Sequence, residues 1–315
     1  MPKPCIFVTG SSGQVGSAIV QLFGSGRSAA PSVEVLAPLR AELDLTDLDA
    51  LRQYVRTHRP DWIVNPAAYT AVDRAESEPE IARTLNAEVP RVLGEEARTL
   101  GVPVLHFSTD YVFRGDGTKP YTETDDTGPS SVYGQTKLDG ELALAATGAA
   151  HLILRTSWVY GATGKNFLLT ILRAAQERSE LRIVDDQHGA PTWSRDLARL
   201  TAFLIEDFEQ RADLERRAAG ATVAEFLSPL SGVYHATGSG ETTWYGFAKA
   251  AVEARRAADP SAKFASLTPI TTAEYPTPAR RPANSRLDCT RLGSTFGFKF
   301  PSWRESLDDV LAELG

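Results

Sequence analysis

Short apolar runs alternate with amphipathic stretches through the first half of this chain, and no other feature constrains its fold as strongly. The apolar runs are rich in β-branched residues and predict buried strands over 5–9, 33–39, 62–65, 102–108 and 151–156. The stretch 15–22 places its apolar side chains on one face of a helix, and a longer helix over 81–100 should end at Gly101. This alternation is typical of an α/β fold with a doubly wound, parallel Rossmann-type sheet.

The second half of the chain alternates less regularly. We expect a helix over 166–176 and strands over 181–184 and 232–236. The segment 206–221 lacks an apolar stripe and predicts an exposed excursion, whereas the proline-rich segment 267–282 predicts an irregular stretch.

Two units of unequal size follow from this pattern. A chain of 315 residues is long enough for a large α/β domain that carries a smaller lobe. We assign 1–160 mainly to an NAD(P)-binding Rossmann domain and 161–315 mainly to a smaller, discontinuous substrate-binding lobe. Segments near 185–205 and 230–250 are expected to return to the first domain.

Charge and cysteine content exclude several classes of protein. The formal net charge is −7, so the surface as a whole repels nucleic acid and anionic membranes, and an anionic substrate would need a local basic cluster. Cys5 and Cys289 are the only cysteines, and their spacing indicates reduced thiols without a metal. The chain enters a strand at once and has no apolar stretch long enough to span a bilayer, so we expect a cytoplasmic protein.

A glycine turn joins the first predicted strand to the first helix. Gly10, Gly13 and Gly16 let the backbone approach a pyrophosphate, whose charge would rest on the free N–H groups of the helix start. The turn therefore predicts dinucleotide binding. The second strand ends without the carboxylate that holds the ribose of NAD. Arg40 follows instead and would pair with a 2′-phosphate, which favours NADPH and leaves NADH as the alternative.

A tyrosine and a lysine one helical turn apart supply the chemistry for reducing a carbonyl. Tyr133 and Lys137 share one face of a helix that starts near Ser131. A tyrosine can give the proton that the carbonyl oxygen needs, and a nearby ammonium should lower the phenol pKa toward the working range. Thr109, at the end of the fourth strand, is the expected hydrogen-bond partner of the substrate carbonyl, with Ser108 as the competitor.

Seven motifs spread along nearly the whole chain carry a resemblance to a known family. They cover residues 10–16, 65–76, 108–113, 133–137, 155–160, 185–192 and 281–287. Together they resemble the extended short-chain dehydrogenase/reductases, and in particular the dTDP-4-dehydrorhamnose reductase family. The resemblance implies an enzyme that passes hydride from NAD(P)H to the C4 keto group of dTDP-4-dehydro-β-L-rhamnose. The product would be dTDP-β-L-rhamnose, a precursor of cell-surface polysaccharide.

The resemblance also implies which residues contact each ligand. Cofactor contacts are implied along the glycine turn, including Ser12, and at Gln14, Val15, Asp44, Leu45, Ala67, Ala68, Thr70, Tyr133 and Lys137. Substrate contacts are implied at Thr109, Asp110, Tyr111 and Trp158. The indole of Trp158 suits the apolar face of a deoxysugar. A basic set would hold the nucleoside diphosphate, with Asn166 beside it: Lys165, Arg280, Arg281 and Arg286.

One departure from the family concerns Mg²⁺. In some members, glutamates bind this ion at a dimer contact. The corresponding positions here are Ala18 and Arg195, and neither side chain offers a carboxylate oxygen to a hard cation. We therefore expect no Mg²⁺ requirement, and a monomer or weak homodimer.

Two alternative functions stay open from the sequence. Another 4-ketoreductase, an epimerase or a dehydratase acting on sugar nucleotides would share most of these motifs, although no Asp-Glu pair follows Thr109 as a dehydratase would require. A non-catalytic regulatory subunit that binds a dinucleotide is the alternative from another class. The intact set of Tyr133, Lys137 and Thr109 argues against that second alternative.

Overall fold

Strands and helices alternate along the chain in this computed structural model, which describes residues 3–24, 33–219 and 222–315. The strands are β1 Cys5–Val8, β2 Glu34–Leu36, β3 Trp62–Asn65, β4 Val104–Thr109, β5 His151–Thr156, β6 Val159–Tyr160, β7 Glu180–Val184, β8 His188–Gly189, β9 Thr192–Trp193, β10 Gly232–His235, β11 Thr242–Thr243 and β12 Ser266–Ile270. The helices are α1 Gln14–Gly24, α2 Leu48–His58, α3 Val72–Ala75, α4 Pro79–Arg83, α5 Val89–Leu100, α6 Val132–Ala146, α7 Phe167–Glu177, α8 Ser194–Ala219, α9 Val223–Leu227, α10 Trp244–Ala258, α11 Thr290–Phe296 and α12 Trp303–Glu313.

A six-stranded parallel sheet forms the centre of the molecule. Its strand order is β10-β5-β4-β3-β1-β2, and every neighbouring pair in it is parallel. The chain builds outward from β1 to β2 and then crosses to the other side of β1 to add β3, β4 and β5. The doubly wound Rossmann-type sheet predicted from the sequence is therefore confirmed.

Helices cover both faces of this sheet, because successive side chains of each strand point to opposite faces. In β1, Ile6 and Val8 pack into one core cluster with α1 and α8, whereas Phe7 packs into the other with α2 and α5. With both faces covered, most side chains of the strands are apolar, as in other buried parallel sheets.

Later segments build a smaller lobe beside the sheet. The strands β7 and β12 form a parallel pair, and the helices α7 and α10 pack on it around Ala175, Leu181 and Val252. Two shorter pairs, β6 with β9 and β11 with β8, connect this lobe to the main sheet. The strand β10 forms one edge of the main sheet, and the helix α8 packs on a face of that sheet. The later half of the chain therefore contributes to the main sheet as well as to the smaller lobe.

Three local predictions differ from the structure. Residues 206–212 are not an exposed excursion, because they continue α8 and bury Phe208 and Ala212 in the core; positions 220 and 221 of that prediction lie outside the described residues. The proline-rich segment contains the strand β12. The helix predicted over 81–100 consists of α4 and α5 joined by a π-helical turn at Thr84–Glu88. It ends at Gly101 as predicted, with a φ of 70°.

No helix in the described ranges is long and apolar enough to cross a membrane.

Candidate active site

A cavity of about 620 Å³ opens at the carboxyl ends of β1, β3 and β4. The strands β1 and β3 are those between which the direction of winding reverses, which is where ligands bind in open α/β sheets. Every cofactor-binding residue predicted from the sequence lines this cavity, as do the predicted substrate contacts Thr109, Asp110, Tyr111 and Trp158. The fold therefore brings most of the predicted site into one place.

The glycine turn forms the floor of the cavity under the start of α1. Gly10 has a φ of 56° and accepts a hydrogen bond from the N–H of Gly13 at 2.9 Å. A Cβ on Gly16 would lie 2.2 Å from the carbonyl oxygen of Gly10, and a Cβ on Gly10 would lie 2.9 Å from the Cα of Ala67. Side chains at Gly10 and Gly16 would therefore clash with the backbone, and glycines at both positions allow this tight turn at the positive end of the helix, where a pyrophosphate would bind.

Arg40 borders the cavity beyond the end of β2. Its side chain is 77% exposed, and its Nη2 lies 3.8 Å from a carboxylate oxygen of Asp44. Among the described residues no tighter partner binds the guanidinium, so its donors are available to an anion that enters the cavity.

Tyr133 and Lys137 project from α6 into the same cavity. Ser131 begins this helix by accepting a hydrogen bond from the N–H of Gly134. A Cβ on Gly134 would lie 2.3 Å from the carbonyl oxygen of Tyr111, so the glycine lets α6 press against the turn that follows β4. Both side chains are buried, and the Nζ of Lys137 donates to the carbonyl oxygen of Phe107 at 2.6 Å.

Burial sets the protonation of both groups. It raises the pKa of Tyr133 above its ordinary value, and hydrogen bonding to Thr109 only partly opposes this. The sequence predicted a lowered pKa for Tyr133, which is wrong. The nearby ammonium of Lys137 can be inferred from the sequence, whereas desolvation depends on packing between distant segments. Burial also lowers the pKa of Lys137 to about 8. In the ligand-free protein, Tyr133 is therefore a neutral phenol at pH 7, which is the form that can give a proton.

The two hydroxyls at the end of β4 have different surroundings. Thr109 donates to Asp110 at 2.9 Å and lies beside Tyr133. The Oγ of Ser108 donates to Glu141 at 2.5 Å, and Glu141 is also bound by Arg155 through two hydrogen bonds of 2.9 and 2.6 Å. Because Ser108 is engaged in this buried ion pair, Thr109 is the hydroxyl better placed for a substrate carbonyl.

Trp158 lies on the wall of the cavity and stacks on Trp244. Their ring centroids are 3.7 Å apart with an interplanar angle of 12°. The backbone of Trp158 has a φ of 48°, and the neighbouring Gly189 has no room for a Cβ, which would lie 2.6 Å from the indole. Trp244 also lines the cavity, although no local motif in the sequence singles it out. The pair forms a flat apolar wall.

The predicted basic set does not form one cluster. Lys165 lines the main cavity, whereas Arg280 and Arg281 line a second cavity of about 510 Å³. Arg286 forms an ion pair with Glu241 at 2.9 Å and lines neither cavity. Asn166 caps α7 by accepting from the N–H of Leu169 at 3.0 Å, and it too lies outside both cavity walls.

The positions that would hold Mg²⁺ in some relatives do not suit a cation here. Ala18 has no oxygen in its side chain, and Arg195 binds Glu313 and lies over the ring of Trp193 at 4.7 Å. Within the described ranges, no group of three or more His, Cys, Asp or Glu side chains is placed to hold a metal ion.

Known proteins resemble the chain along nearly its whole length. Residues 4–315 match the family described as the RmlD substrate binding domain. A dTDP-4-dehydrorhamnose reductase of Burkholderia thailandensis is 46% identical over 311 residues, which is 98% of each chain. A dTDP-4-dehydrorhamnose reductase of Escherichia coli K12 is 44% identical over 271 residues, covering 86% of this chain and 85% of that one.

Solved structures agree with these sequence matches. A dTDP-4-dehydrorhamnose reductase from Bacillus anthracis in complex with NADP has a TM-score of 0.84 and 30% identity, with 99% of each chain covered. One from Clostridium acetobutylicum has a TM-score of 0.84 and 33% identity over 98% of this chain and 99% of that one. The chain therefore belongs to the dTDP-4-dehydrorhamnose reductase family of NAD(P)H-dependent oxidoreductases, which confirms the family expected from its motifs.

Proposed function

We propose that this protein reduces the C4 keto group of dTDP-4-dehydro-β-L-rhamnose to give dTDP-β-L-rhamnose, with NADPH as the hydride donor. The observation that carries the proposal is that Tyr133, Lys137 and Thr109 open onto the cavity that also contains the glycine turn. A proton donor and a dinucleotide site are thus within reach of one bound carbonyl compound. The substrate follows from the family to which the chain belongs.

The residues of the cofactor site support NADPH as the hydride donor. When bound, NADPH supplies the hydride that adds to the keto carbon. The glycine turn and the first N–H groups of α1 bind its pyrophosphate. Arg40 donates to the 2′-phosphate, and Asp44 with Leu45 contact the adenine. NADH lacks that phosphate and is the weaker donor in this proposal.

The protein supplies the proton that balances the hydride. As the carbon–oxygen double bond becomes a single bond, the Tyr133 hydroxyl gives its proton to the C4 oxygen and is left as a phenolate. Thr109 has one hydroxyl proton, which turns from Asp110 to the same C4 oxygen when the substrate binds and so orients that oxygen toward Tyr133. The pKa of Lys137 is about 8, so most of the lysine is an ammonium at pH 7 and can stabilise the phenolate.

The substrate contacts follow the walls of the cavity. Trp158, backed by Trp244, packs against the methyl group and C–H face of the deoxysugar. Asp110 and Tyr111, which follow β4, lie beside the sugar ring. Lys165 lines the same cavity, and its ammonium pairs with the diphosphate of the substrate. Asn166 and Arg286 lie outside the cavity walls and are not part of this proposal.

The proposed product places the protein in the synthesis of cell-surface polysaccharide. We place the reaction in the cytoplasm. We assign the active form to a monomer or weak homodimer, because Ala18 and Arg195 stand where some relatives have the glutamates of a metal-bridged dimer contact. A sugar-nucleotide epimerase is the second candidate, because it would use the same glycine turn and the same Tyr133 and Lys137.

Loss of absorbance at 340 nm tests the function. Purified protein is mixed with NADPH or NADH and with dTDP-4-dehydro-L-rhamnose generated in situ, and the product is identified by NMR. We expect stoichiometric NADPH oxidation and an axial C4 proton, as dTDP-β-L-rhamnose requires; an equatorial C4 proton would identify the C4 epimer instead. Tyr133→Phe should reduce the rate at least about 100-fold, because the proton donor is lost. Conversion of the sugar without net NADPH oxidation would indicate the epimerase, and binding without conversion would indicate a regulatory subunit.

A further inference from the structure

A row of buried polar side chains crosses the sheet directly beneath the cavity. Thr9 follows β1, Asn65 ends β3, and His106 lies opposite Asn65 on β4. The Oγ1 of Thr9 donates to the Oδ1 of Asn65 at 2.6 Å, and the Nδ2 of Asn65 lies 3.0 Å from the Nδ1 of His106. All three side chains are at most 1% exposed. Buried polar groups cost stability unless they are hydrogen-bonded, and each of these three side chains has a polar partner.

The row ends at Lys137. The Nε2 of His106 lies 3.4 Å from the Nζ of Lys137, whose other hydrogen bond in the part of the chain that the structure describes is to the carbonyl oxygen of Phe107 at 2.6 Å. An ammonium has three donors. Phe107 and His106 accept two of them, which leaves the third to face the cavity and the Tyr133 side.

We propose that His106, oriented by Asn65 and Thr9, is a positioning residue that accepts a hydrogen bond from the Lys137 ammonium and so holds that ammonium toward the active-site cavity. The inference deepens the proposed reductase function and rests on it for its kinetic consequence. His106 itself touches neither ligand in this proposal and acts through Lys137.

The hydrogen-bond geometry ties the ring proton of His106 to the charge on Lys137. If Lys137 is an ammonium, Nε2 must be the acceptor, so the ring proton is on Nδ1 and the carbonyl oxygen of the Asn65 amide must face it. If Lys137 is neutral, the ring proton can move to Nε2 and face the lone pair of Nζ. The amide NH₂ of Asn65 then faces Nδ1, and its oxygen accepts from Thr9. A 180° rotation of the Asn65 amide exchanges the two arrangements. In the structure the amide NH₂ faces Nδ1 of His106, and in the rotated form it donates to the Oγ1 of Thr9 instead.

The surrounding charges are compatible with this arrangement. Burial and the charge of Lys137 hold the pKa of His106 well below its usual range, so the ring stays neutral, and His151 on β5 acts in the same direction. Burial lowers the pKa of Lys137 to about 8, whereas Glu141, one turn further along α6, raises it. Glu141 is itself paired with Arg155 at 2.6 Å. Lys137 therefore changes its charge within an accessible pH range while His106 does not.

The tautomer of His106 tests the inference directly in the wild-type protein. The chain has five histidines, so the ¹⁵N-histidine spectrum is tractable, and the His106 signals are those lost in His106→Gln. At about pH 6.5 we expect the neutral tautomer with its proton on Nδ1, and at about pH 9.5, above the pKa of Lys137, the tautomer with its proton on Nε2. A proton on Nε2 at both pH values, or an imidazolium, would overturn the inference. Should His106→Gln not fold, substituting the other four histidines in turn assigns the same signals.

The pH profile of NADPH oxidation separates positioning from a merely structural role. In His106→Phe the ammonium loses an acceptor, so the alkaline limb of kcat/KM should move about one pH unit toward acid, the size expected for one hydrogen bond to a charged group. His106→Gln keeps an acceptor oxygen and should restore the wild-type limb. The matched control is His151→Gln, because His151 is also buried on the adjacent strand and bonds the carbonyl oxygen of Ala149 instead.

Each outcome of these experiments decides one question. A folded His106→Phe variant with the wild-type alkaline limb would overturn the inference. Wild-type protein that oxidises no NADPH would refute the proposed function and leave the tautomer measurement to decide the role of His106. Thermal unfolding of each variant establishes whether it is folded, and a variant that is not folded leaves the wild-type spectrum as the deciding measurement.

Discussion

Replacing Arg40 with alanine should weaken the binding of NADPH without affecting the binding of NADH. Arg40 is the cation at the edge of the cavity after β2, and in the proposed complex it donates to the 2′-phosphate that NADH lacks. The substitution removes this contact alone from the NADPH complex. The result is therefore a change in cofactor preference, whereas damage to the fold would affect both cofactors equally.

The exposure of Arg40 limits the size of the effect. A hydrogen bond to a charged group contributes about 1.5–3 kcal/mol, whereas an exposed ion pair contributes only about 0.2–1 kcal/mol. With 77% of the side chain exposed, the Arg40 contact belongs between these ranges. We take about 1.4 kcal/mol, which corresponds to a tenfold rise in the KM for NADPH. The lost pairing with Asp44, across 3.8 Å on the surface, should not change stability measurably.

Initial rates at 340 nm against each cofactor measure this prediction. Arg304→Ala is the matched control, because Arg304 also forms an exposed pair with the residue four positions on, Asp308, at 3.6 Å and lies on α12 away from the cavity. We expect the control to match the wild type with both cofactors. Equal rises in KM for NADPH and NADH in Arg40→Ala, or no rise for either, would refute the assignment of Arg40 to the 2′-phosphate.

Three further substitutions test other parts of the site. Gly16→Ala places a Cβ 2.2 Å from the carbonyl oxygen of Gly10, so NADPH affinity measured by fluorescence titration should fall at least about tenfold; an unchanged affinity would contradict the role of the turn. Glu141→Gln leaves Arg155 buried without its charged partner, and urea unfolding should show a loss of about 3–5 kcal/mol; a loss below about 1 kcal/mol would contradict it. Burial raises the pKa of Asp110 to about 6, above its value of about 3.9 in an unfolded chain, so the contribution of this carboxyl to stability falls as pH rises from about 4 to about 6. Asp110→Asn should remove this contribution, so its urea-unfolding free energy relative to that of the wild type should rise by about 2 kcal/mol between about pH 4 and 6. A difference that does not change with pH would count against this explanation.

The sheet and the glycine turn could be predicted because their signals are local. Each strand of the central sheet is a contiguous apolar run, and the glycine turn follows β1 immediately. Once the sheet is parallel, the ends of β1, β3 and β4 must meet at one edge. Gly10 follows β1, Ala67 lies shortly after β3, and Thr109 ends β4. These residues therefore line one cavity although they are far apart in the chain.

Predictions failed where partners distant in sequence decide the structure. The segment Ser266–Ile270 becomes a strand because β7 offers it hydrogen-bond partners, which outweighs the prolines nearby. The stretch around Phe208 and Ala212 has no evident apolar stripe in the sequence. It is nevertheless part of a helix, α8, with one face buried, because α1 and the sheet cover the side that carries these two residues. Local composition reports neither the pairing of strands nor the covering of a helix face.

The sequence alone determined the fold class, the cofactor class and the Tyr133–Lys137 pair, because each depends on residues within a few positions of one another. Only the tertiary structure brought Trp244 against Trp158 and aligned Thr9, Asn65 and His106 beneath Lys137. It also decided the direction of the Tyr133 pKa shift. Desolvation and long-range hydrogen bonds arise from packing between distant segments, and no local pattern in the chain encodes them.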